Sequence, residues 1–207
     1  MLLDRLLHVL APPLCAHCGA QAGSAEPLCA RCRRELRWLD PHPAAVQGLA
    51  VWAPLAYEGP AQGVVRALKF RGAHRAARAM AAQIVANAPS GWLEAGTATL
   101  VPAPLHPKRT RTRGYNQALL LAEAIGERTG LAVADCLERT GSPRTQVGRD
   151  RVQRLSGVAG SVRLRTAPPP AEAVLVDDVI TTGATLIACA EALGATKAIA
   201  YARTPGR

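Results

Sequence analysis

The chain has 207 residues, 49% of them hydrophobic, which is enough to bury a core and excludes an intrinsically disordered protein. A net charge of +10 favours polyanionic partners such as nucleotides, pyrophosphate or nucleic acid. The sequence has no stretch of about 20 apolar residues, so we expect no membrane span. Residues 1–14 place leucines on one helical face without the charge order of a signal peptide, which predicts a short amphipathic helix and a cytoplasmic protein.

Four of the six cysteines form two Cys-x-x-Cys pairs separated by ten residues: Cys15, Cys18, Cys29 and Cys32. Two such pairs suit four thiolates converging tetrahedrally on zinc. Four protein ligands leave no open position for water, so we expect the zinc to be structural. Iron–sulfur ligation and two disulfides are the alternatives, although the first usually shows other spacings and the second is rare in the cytosol.

The rest of the chain alternates strand and helix patterns. We expect helices over residues 31–39, 63–70, 73–88, from about 118, and 186–193. We expect strands over residues 48–57, 97–101 and 131–137, from Val174, and over 197–202. This alternation predicts an α/β fold with a mostly parallel sheet flanked by helices. The predicted domains are residues 1–42, with the N-terminal helix and a zinc knuckle, and residues 43–207.

A basic segment directly follows the strand over 97–101 and contains Lys108, Arg109, Arg111 and Arg113. An α/β sheet places its anion contacts in the loops at the carboxyl ends of its strands. We therefore expect Lys108 and Arg109, together with Lys69, to hold a pyrophosphate group. The alternative is a solvated basic loop. A second basic stretch lies over 137–165, and its part from Arg144 to Arg154 is expected to form a mobile flap that excludes water.

The most informative pattern lies near the C-terminal end. An apolar run is followed by an acidic pair, two apolar residues and a short loop: Asp177, Asp178, then Thr181, Thr182, Gly183, Ala184 and Thr185. Carboxylates accept hydrogen bonds from vicinal ribose hydroxyls. Threonine hydroxyls, backbone N–H groups and the positive end of the following helix suit a phosphate. The pattern therefore predicts a ribose-5-phosphate site, whereas a strand ending in an Asp-capped helix explains only one aspartate.

This pattern resembles the signature of the type I phosphoribosyltransferases, which bind phosphoribosyl pyrophosphate (PRPP) with magnesium. The resemblance implies that Asp177 and Asp178 hold the ribose hydroxyls, that the threonine loop holds the 5-phosphate, and that Mg²⁺ accompanies the pyrophosphate. Such transfer passes through an oxocarbenium-like state, so the protein orients groups and stabilises charge rather than supplying covalent chemistry. No residue stands out as a general base for an acceptor.

Further motifs, in the same order from about Cys15 to Arg203, resemble those of the ComF family (competence protein F, also called GntX-like). These motifs are the cysteine pairs, Tyr57-x-Gly59, Leu68-Lys69-Phe70, Pro102-x-Pro104-Leu105, Arg113-Gly114-Tyr115-Asn116-Gln117 and the acidic pair. The resemblance implies a type I phosphoribosyltransferase-like domain behind a zinc knuckle, in a protein that serves natural transformation or the use of DNA as a nutrient. The chain departs from the family after Arg154, where Gly157 and Val162 replace an asparagine and an aromatic residue.

Two other functions stay open beside a phosphoribosyltransferase of unknown acceptor. One is a non-catalytic protein that binds single-stranded DNA and retains the pocket. Its knuckle would contact DNA through four arginines: Arg31, Arg33, Arg34 and Arg37. The other is an adaptor that docks a competence helicase or recombination protein. DNA binding weakens steeply with salt, whereas PRPP binding should depend on magnesium and on the acidic pair.

Overall fold

The computed structural model describes residues 13–23, 26–70, 73–140 and 161–205. The helix expected over 1–14 falls almost wholly outside these ranges, and so does the flap expected around Arg144 to Arg154. The described helices are α1 (Ala30–Arg34), α2 (Gly59–Phe70), α3 (Ala73–Asn87), α4 (Pro107–Arg113), α5 (Gln117–Thr129) and α6 (Ala184–Leu193). The described strands are β1 (Ala44–Val46), β2 (Leu49–Trp52), β3 (Leu55–Ala56), β4 (Ala98–Pro102), β5 (Ala132–Val133), β6 (Leu137–Arg139), β7 (Val162–Leu164), β8 (Glu172–Ile180) and β9 (Lys197–Arg203).

A seven-stranded sheet organises the molecule, in the order β1-β2-β9-β8-β4-β5, with β3 also paired to β9. All pairings are parallel except that of β1, which turns back on β2 through Gln47 and Gly48, both at positive φ. The prediction of a mostly parallel α/β sheet is therefore confirmed. The central strand β8 lies between β9 and β4, so its carboxyl end opens toward the loops that follow several neighbouring strands.

The sheet has a hydrophobic layer on each face because consecutive strand residues point to opposite sides. One layer contains Trp52, Leu68, Met80, Leu100 and Val176. The other contains Val51, Val101, Leu175, Leu186 and Ala200. Small and branched aliphatic side chains make up most of both layers, which agrees with an aromatic content of only 3%.

The cysteine segment packs directly on α2. A Cβ atom built on Gly63 would lie 2.9 Å from the carbonyl oxygen of Ala16 and 2.9 Å from Cα of His17. Arg75 in α3 donates a hydrogen bond from Nη2 to the carbonyl oxygen of Glu26, at 2.7 Å. Cys15 and Cys32 belong to the same hydrophobic cluster as Leu68 of α2. The segment and the sheet therefore share one core, and the domain boundary at residue 42 stays a prediction.

Several elements differ from the sequence-based expectation. The helix expected over 31–39 ends at Arg34, and the strand expected over 48–57 divides into β2 and β3. The basic segment predicted as a loop forms helix α4, and Pro107 at its first position has the backbone angle φ that a helix start requires. The strand expected over 131–137 divides, because β5 joins the edge of the large sheet while β6 pairs with β7 in a separate antiparallel ribbon. The acidic pair lies inside β8, which continues to Ile180.

Candidate functional site

The four cysteines form a cluster that fits a zinc ion. Their Sγ atoms all lie within 4.8 Å of one another. The Sγ atoms of Cys18 and Cys29 are 3.8 Å apart. Tetrahedral zinc with Zn–S bonds of about 2.3 Å places its sulfur atoms at about this separation. Within the described ranges no other group of three or more histidine, cysteine or acidic side chains converges in this way.

The thiols of this cluster differ in their readiness to ionise. Burial opposes ionisation of Cys15, but backbone N–H groups of Cys18, Cys29 and His17 outweigh it and lower its pKa to about 6. Burial raises the pKa of Cys32, and its hydrogen bonds with the neighbouring thiols raise it further. Four adjacent thiolates repel one another without a counter-ion, and a divalent cation at their centre removes this conflict.

The acidic pair is split between the two faces of β8. Asp178 points toward α2, where one carboxylate oxygen, Oδ2, lies 2.6 Å from Nζ of Lys69. Its side chain is only 6% exposed, against 22% for that of Lys69. Strand alternation turns Asp177 toward the opposite layer, where it acts electrostatically on Cys189 of α6. The two adjacent carboxylates therefore have different neighbours.

Asp177 lines a small cavity with the loop that follows β8. The cavity has a volume of about 40 Å³, and its lining also includes Thr181, Thr182, Gly183, Ala184 and Thr185. Oδ1 of Asp177 accepts a hydrogen bond from the backbone N–H of Asp178, at 2.8 Å. Burial, and next the charge of Asp178, raise the pKa of Asp177 well above its usual value. A donor that binds in this cavity therefore meets a carboxyl group whose ionised form is disfavoured in the folded protein.

The loop ends at the start of helix α6, which has no side-chain cap. Gly183 is the residue before α6, and its φ of 76° is favourable only for glycine. A glycine cap has no side-chain acceptor, so the N–H groups of the first helical turn remain directed toward the cavity side of the loop. Within the described residues, the N–H of Ala184 makes a weak contact with Oγ1 of Thr182, at 3.4 Å.

Arg139, a residue that the sequence analysis did not single out, contacts this loop. Its Nη2 donates to Oγ1 of Thr185 at 3.2 Å, and its buried Nε has no hydrogen-bond partner. Arg139 ends strand β6, so the separate β6–β7 ribbon carries a cation to the threonine loop. Its place within a run of several arginines offered no local signal that set it apart.

A larger, basic cavity lies beside the ion pair. Its volume is about 470 Å³, and its lining consists of Lys69, Phe70, Arg109, Thr112, Arg113 and Tyr115. The structure therefore brings together two of the three cations expected to hold pyrophosphate, Lys69 and Arg109. The third, Lys108, lies in α4 between Pro107 and Arg109, and its side chain is outside the description.

The acidic pair links residues that line the two cavities. Lys69 borders the basic cavity and contacts Asp178, while Asp177, the next residue along β8, borders the threonine loop.

Comparisons with known proteins agree with this description. The family described as a double zinc ribbon domain matches residues 6–55. Competence protein F of Haemophilus influenzae is 28% identical over 192 residues, which cover 87% of this chain and 83% of that protein. The DNA utilization protein YhgH of Salmonella typhi is 28% identical over 184 residues, which cover 87% of this chain and 77% of that protein.

One solved structure, TT1426 from Thermus thermophilus, aligns over 67% of this chain and 86% of its own, at 16% identity and a TM-score of 0.32. A superposition at this level does not establish a common fold. None of the helices that the structure describes is both long and apolar enough to cross a membrane.

The fold and the cysteine cluster define a mixed α/β protein with an N-terminal structural zinc site. The likeness to two proteins along most of their lengths, together with the zinc-ribbon match, confirms the resemblance drawn from the motifs. The chain is therefore similar to proteins of the ComF family along most of its length.

Proposed function

We propose that this protein binds PRPP or a nucleotide at the carboxyl end of β8 and serves DNA uptake or the utilisation of DNA. The observation that supports the binding site is the shared cavity of Asp177 and the uncapped start of α6. The biological context comes from the relatives, one named as a competence protein and the other as a DNA utilization protein. A type I phosphoribosyltransferase-like domain is the fold that this proposal requires.

In the proposed complex each end of the ligand meets a different set of groups. Asp177 accepts a hydrogen bond from a ribose hydroxyl, and the loop from Thr181 to Thr185 donates to the 5-phosphate. Lys69, Lys108 and Arg109 hold the pyrophosphate. Asp178 orients Lys69 through their ion pair, and its own contact with a ribose hydroxyl stays a prediction.

Magnesium enters the proposal only together with the ligand. Within the described residues no third acidic, histidine or cysteine side chain joins Asp177 and Asp178, so the pair does not form a protein-only cation site. Mg²⁺ typically combines one or two carboxylates with waters and substrate phosphates, which fits this arrangement. When bound, it would supply positive charge to the pyrophosphate oxygens.

We extend the proposal to phosphoribosyl transfer. In this reaction the bond between ribose C1 and a pyrophosphate oxygen breaks, pyrophosphate leaves with the bonding electrons, and an acceptor attacks C1. The chain's contribution is electrostatic, because Lys69, Lys108 and Arg109 stabilise the negative charge that develops on the leaving group. The structure supports no particular acceptor.

Calorimetric titration of magnesium–PRPP into the zinc-loaded protein tests the proposed site. We expect saturable binding by the wild type and a loss of at least about 10-fold in affinity for Asp177→Asn, the range for a hydrogen bond to a charged group. Asp135→Asn is the matched control. Asp135 lines neither of the two cavities, and its Oδ2 lies 2.8 Å from Nη2 of Arg165. This variant should bind as the wild type does.

The outcomes separate the possibilities. Loss of binding in Asp177→Asn alone, with circular dichroism unchanged, would support the ribose-phosphate site and justify a screen of bases as acceptors. Equal binding by Asp177→Asn and the wild type would place PRPP elsewhere. A wild-type protein that ignores magnesium–PRPP and nucleotides would refute the proposal.

A second candidate, binding of single-stranded DNA without catalysis, gains support from the basic cavity rather than from the knuckle. Three of the four knuckle arginines are paired with acidic side chains: Arg31 with Glu35, Arg33 with Glu26, and Arg37 with Glu58. These pairs reduce the positive field of that face. Binding that falls steeply with salt but not with Asp177→Asn would favour this candidate.

A further inference from the structure

Phe70 is a large apolar side chain in an unusually exposed position. It is 69% exposed at the end of α2, although 49% of the residues of this chain are hydrophobic and the protein has two well-filled core layers. It is also the single phenylalanine among only seven aromatic residues. Exposed aromatic rings that border a cavity are typical of binding sites rather than of packing.

Cations surround the ring within the basic cavity. The guanidinium carbon of Arg113 lies 5.3 Å from the ring centroid, and Lys69 and Arg109 line the same cavity. Among the residues that the structure describes, no acidic side chain belongs to that lining. A cavity of about 470 Å³ is within the usual range for small-molecule sites. It therefore combines a planar apolar surface with positive charge, the two features that a nucleotide requires.

Hydrogen bonds fix Arg113 and Tyr115, two of the side chains that line the basic cavity together with Phe70. Nη1 of Arg113 donates to Oε1 of Gln117 at 3.1 Å. The hydroxyl of Tyr115 donates to the carbonyl oxygen of Leu68 at 2.6 Å, which ties the segment after α4 to the last turn of α2. Side chains fixed in this way lose little conformational entropy when a ligand binds.

We propose that the basic cavity is a nucleobase subsite, in which a base stacks on the Phe70–Arg113 platform and its phosphate meets Arg109 and Lys69. Base–aromatic stacking tolerates every base because each has a π face, and arginine adds a cation–π contribution. The ligand is a free nucleotide or an unpaired nucleotide of single-stranded DNA. The inference rests on the proposed function and deepens it, since Lys69 and Arg109 are also the cations proposed to hold pyrophosphate.

Fluorescence of 2-aminopurine tests the subsite, because stacking quenches this base analogue. One probe is its deoxyribonucleoside monophosphate, and the other is a short oligothymidylate with one 2-aminopurine. We expect saturable quenching by the wild type and a loss of affinity of about 5- to 150-fold for Phe70→Leu, the range for one stacked base. Phe70→Tyr should retain quenching, and so should Trp38→Leu, which removes another exposed aromatic ring outside the cavity.

The two probes distinguish the sources of the nucleotide. Quenching of both probes assigns a site for mononucleotides, whereas quenching of the oligonucleotide alone assigns an unpaired nucleotide of single-stranded DNA. In the second case Arg109→Gln should reduce the salt dependence by the equivalent of about one phosphate contact.

Other results would overturn the subsite or the proposed function separately. Phe70 also borders a cavity of about 750 Å³ between the cysteine segment and α2 and α3, with a mostly apolar lining. If Phe70→Leu lowers stability but leaves quenching unchanged, the ring packs there and the subsite is wrong. Quenching that depends on Phe70 in a protein that does not bind PRPP would retain the subsite and refute the ribose-phosphate site. PRPP binding without any quenching would retain the ribose-phosphate site and refute the nucleobase subsite.

Discussion

Nζ of Lys69 lies 2.6 Å from Oδ2 of Asp178, and this ion pair joins the last turn of α2 to the central strand of the sheet. The same helix also contacts the cysteine segment, which packs on Gly63 in the middle of α2. The helix therefore contacts the cysteine segment at Gly63 and the acidic pair at Lys69. We therefore expect changes at one site to affect the stability of the other.

Lys69→Gln should destabilise the protein by about 2–3 kcal/mol. Removing one partner of a buried ion pair typically costs about 3–5 kcal/mol, and the partial exposure of Lys69 lowers this value. Urea unfolding monitors the change. The double variant Lys69→Gln/Asp178→Asn should recover most of the loss, since no uncompensated charge remains. Lys197→Gln removes a more exposed pair with Glu172 and should cost less than about 1 kcal/mol. Equal costs for the two lysines would contradict a special role for the Lys69 pair.

Asp177→Asn should make the protein more stable at neutral pH while weakening its ligand binding. Burial, followed by the charge of Asp178, raises the pKa of Asp177 in the folded state, so the folded protein holds this proton more tightly than the unfolded chain does. Wild-type stability therefore falls as the pH rises from about 4, the unfolded pKa, through the raised folded pKa.

The asparagine variant lacks this slope because it has no proton to lose. Its free energy of unfolding should exceed that of the wild type above the raised pKa, and the two should converge in acid. Urea titrations across this pH range measure the difference. A variant that is less stable than the wild type at neutral pH would show that the ionised carboxylate of Asp177 does not destabilise the folded protein.

Removal of zinc should weaken ligand binding as well as unfold the cysteine segment. Small metal knuckles fold with their ion, and Cys15 and Cys32 contribute to the cluster that also holds Leu68. We expect a chelator, or Cys18→Ser, to lower the affinity for magnesium–PRPP. Metal analysis with calorimetry checks this expectation. Cys136→Ala, a buried cysteine outside the cluster, should retain the full zinc content. Unchanged affinity in the zinc-free protein would show that the two sites are independent.

Gly63→Ala should destabilise the protein by about 1–3 kcal/mol, the usual cost of overpacking. In an isolated helix this change is stabilising, because alanine has the higher helix propensity. Here the added Cβ meets the carbonyl oxygen of Ala16 and Cα of His17 at 2.9 Å, and backbone atoms cannot rotate away. Thermal unfolding of the zinc-loaded protein shows whether the substitution lowers or raises the stability. A rise in melting temperature would mean that the cysteine segment shifts on α2 without cost.

The sequence predicted the elements with strong local signals. The cysteine spacing indicated the cluster, and the acidic pair with its Thr/Gly loop indicated a strand, a turn and a helix in that order, as β8 and α6 confirm. It predicted α4 as a loop, because a run of basic residues and threonines has no apolar face by which to recognise a helix. Pro107 was the available signal for its start.

The relations between distant residues were not predictable from these patterns. Strand alternation alone implies that Asp177 and Asp178 face opposite sides, once the strand is known to include both. The partners on each side depend on tertiary packing: Lys69 comes from 109 positions earlier in the chain, and Arg139 reaches Thr185 from 46 positions earlier. A local window contains no information about such pairs.

The short hairpin of β1 and β2 has a consequence for the behaviour of the protein at high concentration. β2 carries the apolar residues Leu49, Val51 and Trp52, and its outer edge would otherwise present free backbone groups to other molecules. β1 covers this edge with only three residues, and β5 closes the opposite edge with two. Edge strands this short give a second chain little to pair with, which protects an alanine- and valine-rich sheet from aggregation.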